Sequence, residues 1–146
     1  MPDKRTTEKA RADKRAGKSP STQAGEFVRE EMHKIRRGEH GARSPQQAIA
    51  IGLSEARRAG VDLPPPKKGQ AKEKTRKSAE NAYEAGQGRR KTTRRPAASR
   101  AATRALKREP KSSASHEALS GQAKRAALLA AAERCAGLRR EAARFA

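Results

Sequence analysis

Large apolar side chains cluster between residues 19 and 69 and are sparse elsewhere. Within that stretch Ala24, Phe27, Val28, Met32 and Ile35 recur at three- and four-residue steps, which lays them along one face of a helix. Ser19 is a capping residue, and Pro20 suits the first helical position because its missing N–H is not needed there. Glu26, Glu30 and Glu31 lie early in this helix and Lys34, Arg36 and Arg37 late, the order that complements the helix dipole. Gly38 fits the left-handed position after its end. Ser44-Pro45-Gln46-Gln47 repeats the grammar with a capping-box Gln. Ala48, Ile49, Gly52, Leu53 and Ala56 then share a face, and the small Ala48 and Gly52 let another helix approach closely. Arg57 and Arg58 close this helix and Gly60 ends it. Val61 and Leu63 can fold back on its last turn, and Pro64-Pro65-Pro66 prevents continuation. The loop 38–43 is short, so the two helices are expected to pack antiparallel. A core of this size is marginal. It implies dimerisation, support from the C-terminal helix, or folding on binding.

The flanks follow different patterns. Residues 1–18 hold no large apolar side chain after Met1 and read as a solvated arm, at most transiently helical. Residues 70–116 have no sustained apolar period. Short helices over 71–85 and Ala97–Lys107 are possible there, interrupted by Gly86 and Gly88 and broken by Pro96 and Pro110. In residues 117–146, after a cap at Ser115, Leu128, Ala131, Cys135, Leu138, Ala142 and Phe145 form a short heptad seam. That seam suits pairing with itself or covering the hairpin; a solvated Ala-rich helix is the alternative, and Gly121 and Gly137 weaken any helix here. The expected fold is mainly α. It has a small antiparallel helical hairpin over 19–69, an Ala-rich C-terminal helix over 117–146, long disordered basic segments over 1–18 and 70–116, and no β-sheet.

Composition sharpens this picture. The chain has 146 residues, with 36 Lys+Arg against 16 Asp+Glu, a net charge of +20. Leu, Ile, Val and Phe number 14, about a tenth of the chain, well below the roughly 20% that marks an ordinary globular core. Ala alone contributes 30 residues and buries little area. Any core is therefore local. Residues 70–116 carry 14 basic and 4 acidic residues, half of the excess charge. Such a chain attracts polyanions over long range, and each phosphate it neutralises releases counterions. The alternative is a charged tail that only solubilises. Clustering of one sign argues against it.

The nucleic-acid-binding candidates fall into groups. Arg36, Arg37 and Arg43 gather at one end of the hairpin. Arg57 and Arg58 gather at the other, with Lys67 and Lys68 beyond. The ends of a fifteen-residue helix lie roughly 22 Å apart, so the two ends can bridge phosphates across a groove. Arginines at helix ends also satisfy the dipole without any partner. The segment 70–116 contributes Lys72, Lys74, Arg76 and Lys77, then Arg89, Arg90 and Lys91, then Arg94 and Arg95, then Arg100 and Arg104.

Other chemistries are poorly represented. Cys135 is the only thiol, so no disulfide framework and no cysteine metal site is expected; it reads as a small packing residue. His33, His40 and His116 are scattered, His33 at a helix edge and His40 in a solvated loop, and neither a metal nor any other cofactor is expected. No catalytic residue is assigned, because catalysis needs positioned acid, base or nucleophile groups. No apolar run approaches the roughly 18–20 residues of a membrane span, and no apolar stretch follows Met1–Arg5, so neither a membrane partner nor a signal peptide is expected. Phe27, Tyr83 and Phe145 are too few for a base-stacking platform.

The stretch from Lys18 through Ser-Pro-Ser-Thr-Gln-Ala-Gly-Glu-Phe-Val-Arg-Glu-Glu-Met-His, together with Ser44-Pro-Gln-Gln-Ala-Ile-Ala-Ile-Gly-Leu, resembles a family of small basic bacterial proteins built on an uncharacterised domain, sometimes labelled DNA-binding. The resemblance covers roughly residues 1–69 and carries over no functional residue. Residues 70–116 are similar in composition to bacterial histone-H1-like tails. The expected function is a non-enzymatic, largely sequence-nonspecific, nucleoid-associated DNA-binding protein of the cytoplasm. Two alternatives stand beside it. One is an interaction module pairing through helices 45–59 and 117–146, as a homodimer or with a helical protein. The other is an RNA- or ribosome-associated basic protein, since phosphate contacts are common to both nucleic acids.

Overall fold

The computed structural model describes residues 3–90 and 96–142. Its helices are α1 (Lys4–Arg15), α2 (Pro20–Arg37), α3 (Pro45–Arg58), α4 (Glu73–Gly86), α5 (Pro96–Arg108) and α6 (His116–Ala142), with a short 3-10 turn at Ser112–Ala114. The protein is mainly helical. Among the described residues there is no strand, only an isolated bridge between Lys68 and Ala71.

The predicted caps set the ends of α2 and α3. Ser19 Oγ accepts from the Thr22 amide at 3.3 Å and Ser44 Oγ from the Gln47 amide at 3.2 Å. Gln47 returns the gesture, its Oε1 accepting from the Arg43 amide at 2.9 Å. Gly38 takes φ 82° after α2, and the Glu39 amide closes back on the Lys34 carbonyl at 3.1 Å. The Val61 amide likewise returns to the Ala56 carbonyl at 3.1 Å, which buries the Val61 side chain against α3.

Two small clusters form the core. Ala24 and Phe27 of α2 meet Ala56 of α3, Val61 and Ala10 of α1. Met32 and Ile35 of α2 meet Ala48 of α3, Ala42 of the loop and Ala114 of the 3-10 turn. The start of α2 thus meets the end of α3 and the reverse, an antiparallel order. Between the clusters, Gly52 sits against the α2 backbone; a Cβ there would lie 2.7 Å from Val28 Cα.

The flanking segments differ from expectation. Residues 1–18 are not simply a solvated arm: Asp3 caps α1, and Thr6 and Ala10 are buried. The basic segment 70–116 contains α4, which packs on α3 and buries Ala79 and Ala82, and α5 beyond it. In both cases the contact is made by residues too small to register as apolar periodicity, and a close approach replaces side-chain bulk. At the α3–α4 contact Gly86 faces the Arg57 carbonyl, where a Cβ would collide. Ser115 caps α6 as expected, accepting from the Ala118 amide at 3.2 Å. The C-terminal helix supports the hairpin through its first turns, where Leu119 packs on the second cluster. Leu128 and Leu129 are 71% and 68% exposed, so this part of the seam does not cover the hairpin. Cys135 is exposed rather than packed; Phe145 lies outside the described residues.

Two glycines in neighbouring helices separate propensity from packing. Gly25 on α2 has open space around its missing Cβ, whereas Gly52 has the Val28 backbone. Gly25→Ala is expected to stabilise by about 0.5–1 kcal/mol. Gly52→Ala gains the same propensity but overpacks the crossing by about 1–3 kcal/mol, so its net effect is destabilising. Urea denaturation of both variants checks the opposite signs.

Candidate nucleic-acid interface

Each predicted cation meets a different local environment. Arg57 is buried: its Nε donates to the Leu63 carbonyl at 3.0 Å and its Nη2 to the Pro64 carbonyl at 3.3 Å. Burial pushes its pKa down. It clips the chain leaving α3, so at this end of the hairpin the cations open to solvent are Arg58, Lys67 and Lys68 rather than Arg57. Arg58, its neighbour, is exposed.

At the other end of the hairpin the charges are largely answered. Arg37 Nη2 pairs with Glu30 and its Nε with Glu39, each at 2.9 Å, and these hydrogen bonds raise its pKa. Arg36 Nε donates to the Ala114 carbonyl at 2.9 Å and ties α2 to the 3-10 turn. Arg43 is 80% exposed and reaches Glu109 at 3.4 Å.

On α4, Arg76 pairs with Glu73 at 2.9 Å and Glu80 at 3.3 Å, and Lys77 lies 3.8 Å from Glu73. Arg90 donates to Asn81 at 2.6 Å and lies 3.8 Å from Glu84. Lys67, Lys68, Lys72 and Lys74 are exposed and have no carboxylate within ion-pair reach among the described residues; the same holds for Arg89. Arg100 and Arg104 are exposed on α5, joined there by Lys107, which the sequence reading missed. Its signal was available: Arg100, Arg104 and Lys107 follow four- and three-residue steps. Lys91, Arg94 and Arg95 lie outside the described residues.

A groove of about 500 Å³ runs between α3, Pro64, Pro66 and α4, lined mainly by apolar atoms, with Lys74 among its lining residues. Among the described residues no helix is long and apolar enough to cross a membrane, and no group of three His, Cys, Asp or Glu side chains is arranged to hold a metal.

The sequence reading also missed a buried ionisable group. Glu31 is 1% exposed, and its Oε1 has no hydrogen-bond partner, lying 3.4 Å from His40 Nε2. Lys34 and Glu55 join α2 to α3 beside it at 3.4 Å. Burial raises the Glu31 pKa, and the Glu55 and Glu39 carboxylates add to the rise, while His40 and Lys34 oppose it. Steps of three and four from Ala24 through Phe27 to Glu31 and Ile35 place it on the inward stripe. Its charge had suggested a solvated, dipole-complementing residue instead. His40 correspondingly is not solvated but partly enclosed.

The geometry defines a small cationic helical protein, with open charge on the 67–74 connection and α5 and also on α1. Over residues 15–68 the chain is similar to a family of unknown function (DUF6496), so the resemblance to an uncharacterised family holds for the hairpin region. No curated protein and no solved structure matches the chain.

Two predictions follow from these buried ions. Arg57→Ala strands the Leu63 and Pro64 carbonyls and is expected to lose about 1–3 kcal/mol, whereas Arg58→Ala stays within about 0.5 kcal/mol of wild type, by urea denaturation. For Glu31, the raised native pKa means the folded state holds the proton that the unfolded state releases. Its contribution is therefore present at acid pH and lost as pH rises through the native pKa. Glu31→Gln removes this component. Its Tm is expected to exceed that of wild type near neutral pH, with the gap closing toward acid; calorimetry across pH reads it.

Proposed function

We propose that this protein is a non-enzymatic, largely sequence-nonspecific DNA-binding protein that acts by neutralising phosphates, in the manner of a nucleoid-associated protein. One observation carries the reading: Lys67, Lys68, Lys72, Lys74 and the cations of α5 are exposed and unopposed by carboxylates, while most acidic side chains near them pair with other cations. Unopposed exposed cations release counterions from a phosphate backbone without reading its bases. Glu31, the acid with a raised pKa, is sealed from solvent and supports no acid–base role on a substrate.

Association with a helical partner is the second reading. The exposed Leu128 and Leu129 favour it at α6, whereas α3 has α2 and α4 packed against it. Excising residues 70–111 does not separate the two readings, because α4 belongs to the folded body.

Charge substitution at exposed lysines does separate them. Fluorescence anisotropy of a duplex DNA across a salt series is expected to give affinity that falls steeply with salt. The Lys67→Gln, Lys68→Gln, Lys72→Gln, Lys74→Gln variant is expected to reduce the log–log slope by up to about 3.6, at about 0.9 per phosphate contact. Wild-type affinity that is flat with salt overturns the phosphate mechanism.

A further inference from the structure

Among the helices, α5 is the one with no acidic residue in its sequence. Arg100, Arg104 and Lys107 share one face with Ser99 and Thr103 and line a shallow groove of about 340 Å³. At 1.5 Å per residue, Arg104 stands about 6 Å along the axis from Arg100 and Lys107 about 4.5 Å further. Thr103 donates its hydroxyl to the Ser99 carbonyl at 3.0 Å, so the cations remain as the outward-facing donors. Alanines at 97, 101, 102 and 105 keep the helix slim and are themselves exposed.

The helix is held to the body at its C-terminal end. The Gly41 amide donates to the Leu106 carbonyl at 2.9 Å and the Ala42 amide to the Pro110 carbonyl at 3.0 Å. Gly41 faces the Glu109 carbonyl so closely that a Cβ would collide. Arg43 reaches Glu109 from the same loop. The cationic face is therefore positioned by the loop between α2 and α3.

We propose that α5 contacts double-stranded DNA alongside the 67–74 lysines, with Arg100, Arg104 and Lys107 tracking its phosphates. This rests on the phosphate-binding reading above and names its partner. Single-strand binding draws on exposed rings for stacking. Phe27 is buried and Tyr83 is half-buried with its hydroxyl on Asp62 at 2.6 Å, so the described residues present no cluster of exposed rings. The major groove of B-form DNA, about 12 Å wide, admits a helix, whereas the deep, narrow groove of A-form RNA does not.

The test uses the full chain with three probes of equal length: duplex DNA, single-stranded DNA and duplex RNA. Wild type is expected to bind duplex DNA tightest. The Arg100→Ala, Arg104→Ala, Lys107→Ala variant is expected to weaken that binding and to lower its salt slope by about 2–3. Arg100→Lys, Arg104→Lys keeps the charge and is expected to keep the slope. Far-UV circular dichroism reads the fold of each variant; all three positions are exposed, so Tm is expected to hold. An unchanged slope in the alanine variant overturns the role of α5 and leaves the general reading standing. Tighter binding to single strands or to RNA overturns the duplex DNA assignment. Failure of wild type to bind any probe overturns the general reading itself.

Discussion

Helix backbones in this chain touch one another at glycine, and the core depends on that contact. Gly52 lets α3 reach the backbone of α2 at Val28, and Gly86 lets α4 reach the Arg57 carbonyl. With only 14 Leu, Ile, Val and Phe residues in the chain, bulky side chains cannot fill wide gaps between helices. Alanine offers little area, so native packing density is reached by narrowing the gap. Phe27 and Ile35 are the two large apolar side chains sealed completely, one in each cluster, and alanines from the surrounding elements close around them. This makes each helix crossing intolerant of one added carbon, while positions such as Gly25 and Gly121 tolerate it.

A core this small leaves most of the chain to carry ions, and the acids are not spread evenly among them. Asp13, Glu26, Glu30, Glu39 and Glu55 answer cations on or beside α1–α3, and Glu73, Glu80 and Glu84 answer Arg76, Lys77 and Arg90 on and after α4. Exposed pairs of this kind add little stability. Their larger effect is local, offsetting the charge of the particular cations they reach on α2 and α4. Among the described residues the 67–74 connection and α5 keep exposed cations with no carboxylate in ion-pair reach, and so do Lys4, Arg5, Lys9, Arg11, Lys14 and Arg15 of α1. Net charge alone does not reveal that sorting, because it depends on which carboxylate lies within reach of which cation.

The hairpin was legible because its signals are local and chemical. Serine caps, prolines at the first helical position and a glycine after α2 act within a few residues, and Phe27, Met32 and Ile35 are large enough to reveal their stripe. The contacts of α1 and α4 were not legible, because Ala10, Ala79 and Ala82 look the same on a buried face as on a solvated one. Arg57 was misread for a related reason. An arginine beside a helix end suits the dipole, a phosphate or a carbonyl equally, and only the folded-back Leu63–Pro64 segment decides among them. Glu31 sat on the apolar stripe in plain view, but its charge outweighed its position in the reading. On α5, Arg100 and Arg104 stand out as cations, and their four- and three-residue steps to Lys107 already mark the face they share.

The loop between α2 and α3 joins these two stories. Its His40 lies against the buried Glu31, the least satisfied side chain of the core, and its Gly41 and Ala42 hold the carbonyls at the base of α5. The position of the cationic helix is therefore set by residues adjacent to the one that faces the buried Glu31. A picture of a folded knob with an independent charged ribbon does not fit this geometry. α4 supplies one wall of the body, α5 hangs from its loop, and Ala114 enters the second core cluster after α5. The segments on either side of α5 thus belong to the body, α4 against α3 and Ala114 in the second cluster, and the base of α5 is fixed by the loop between α2 and α3.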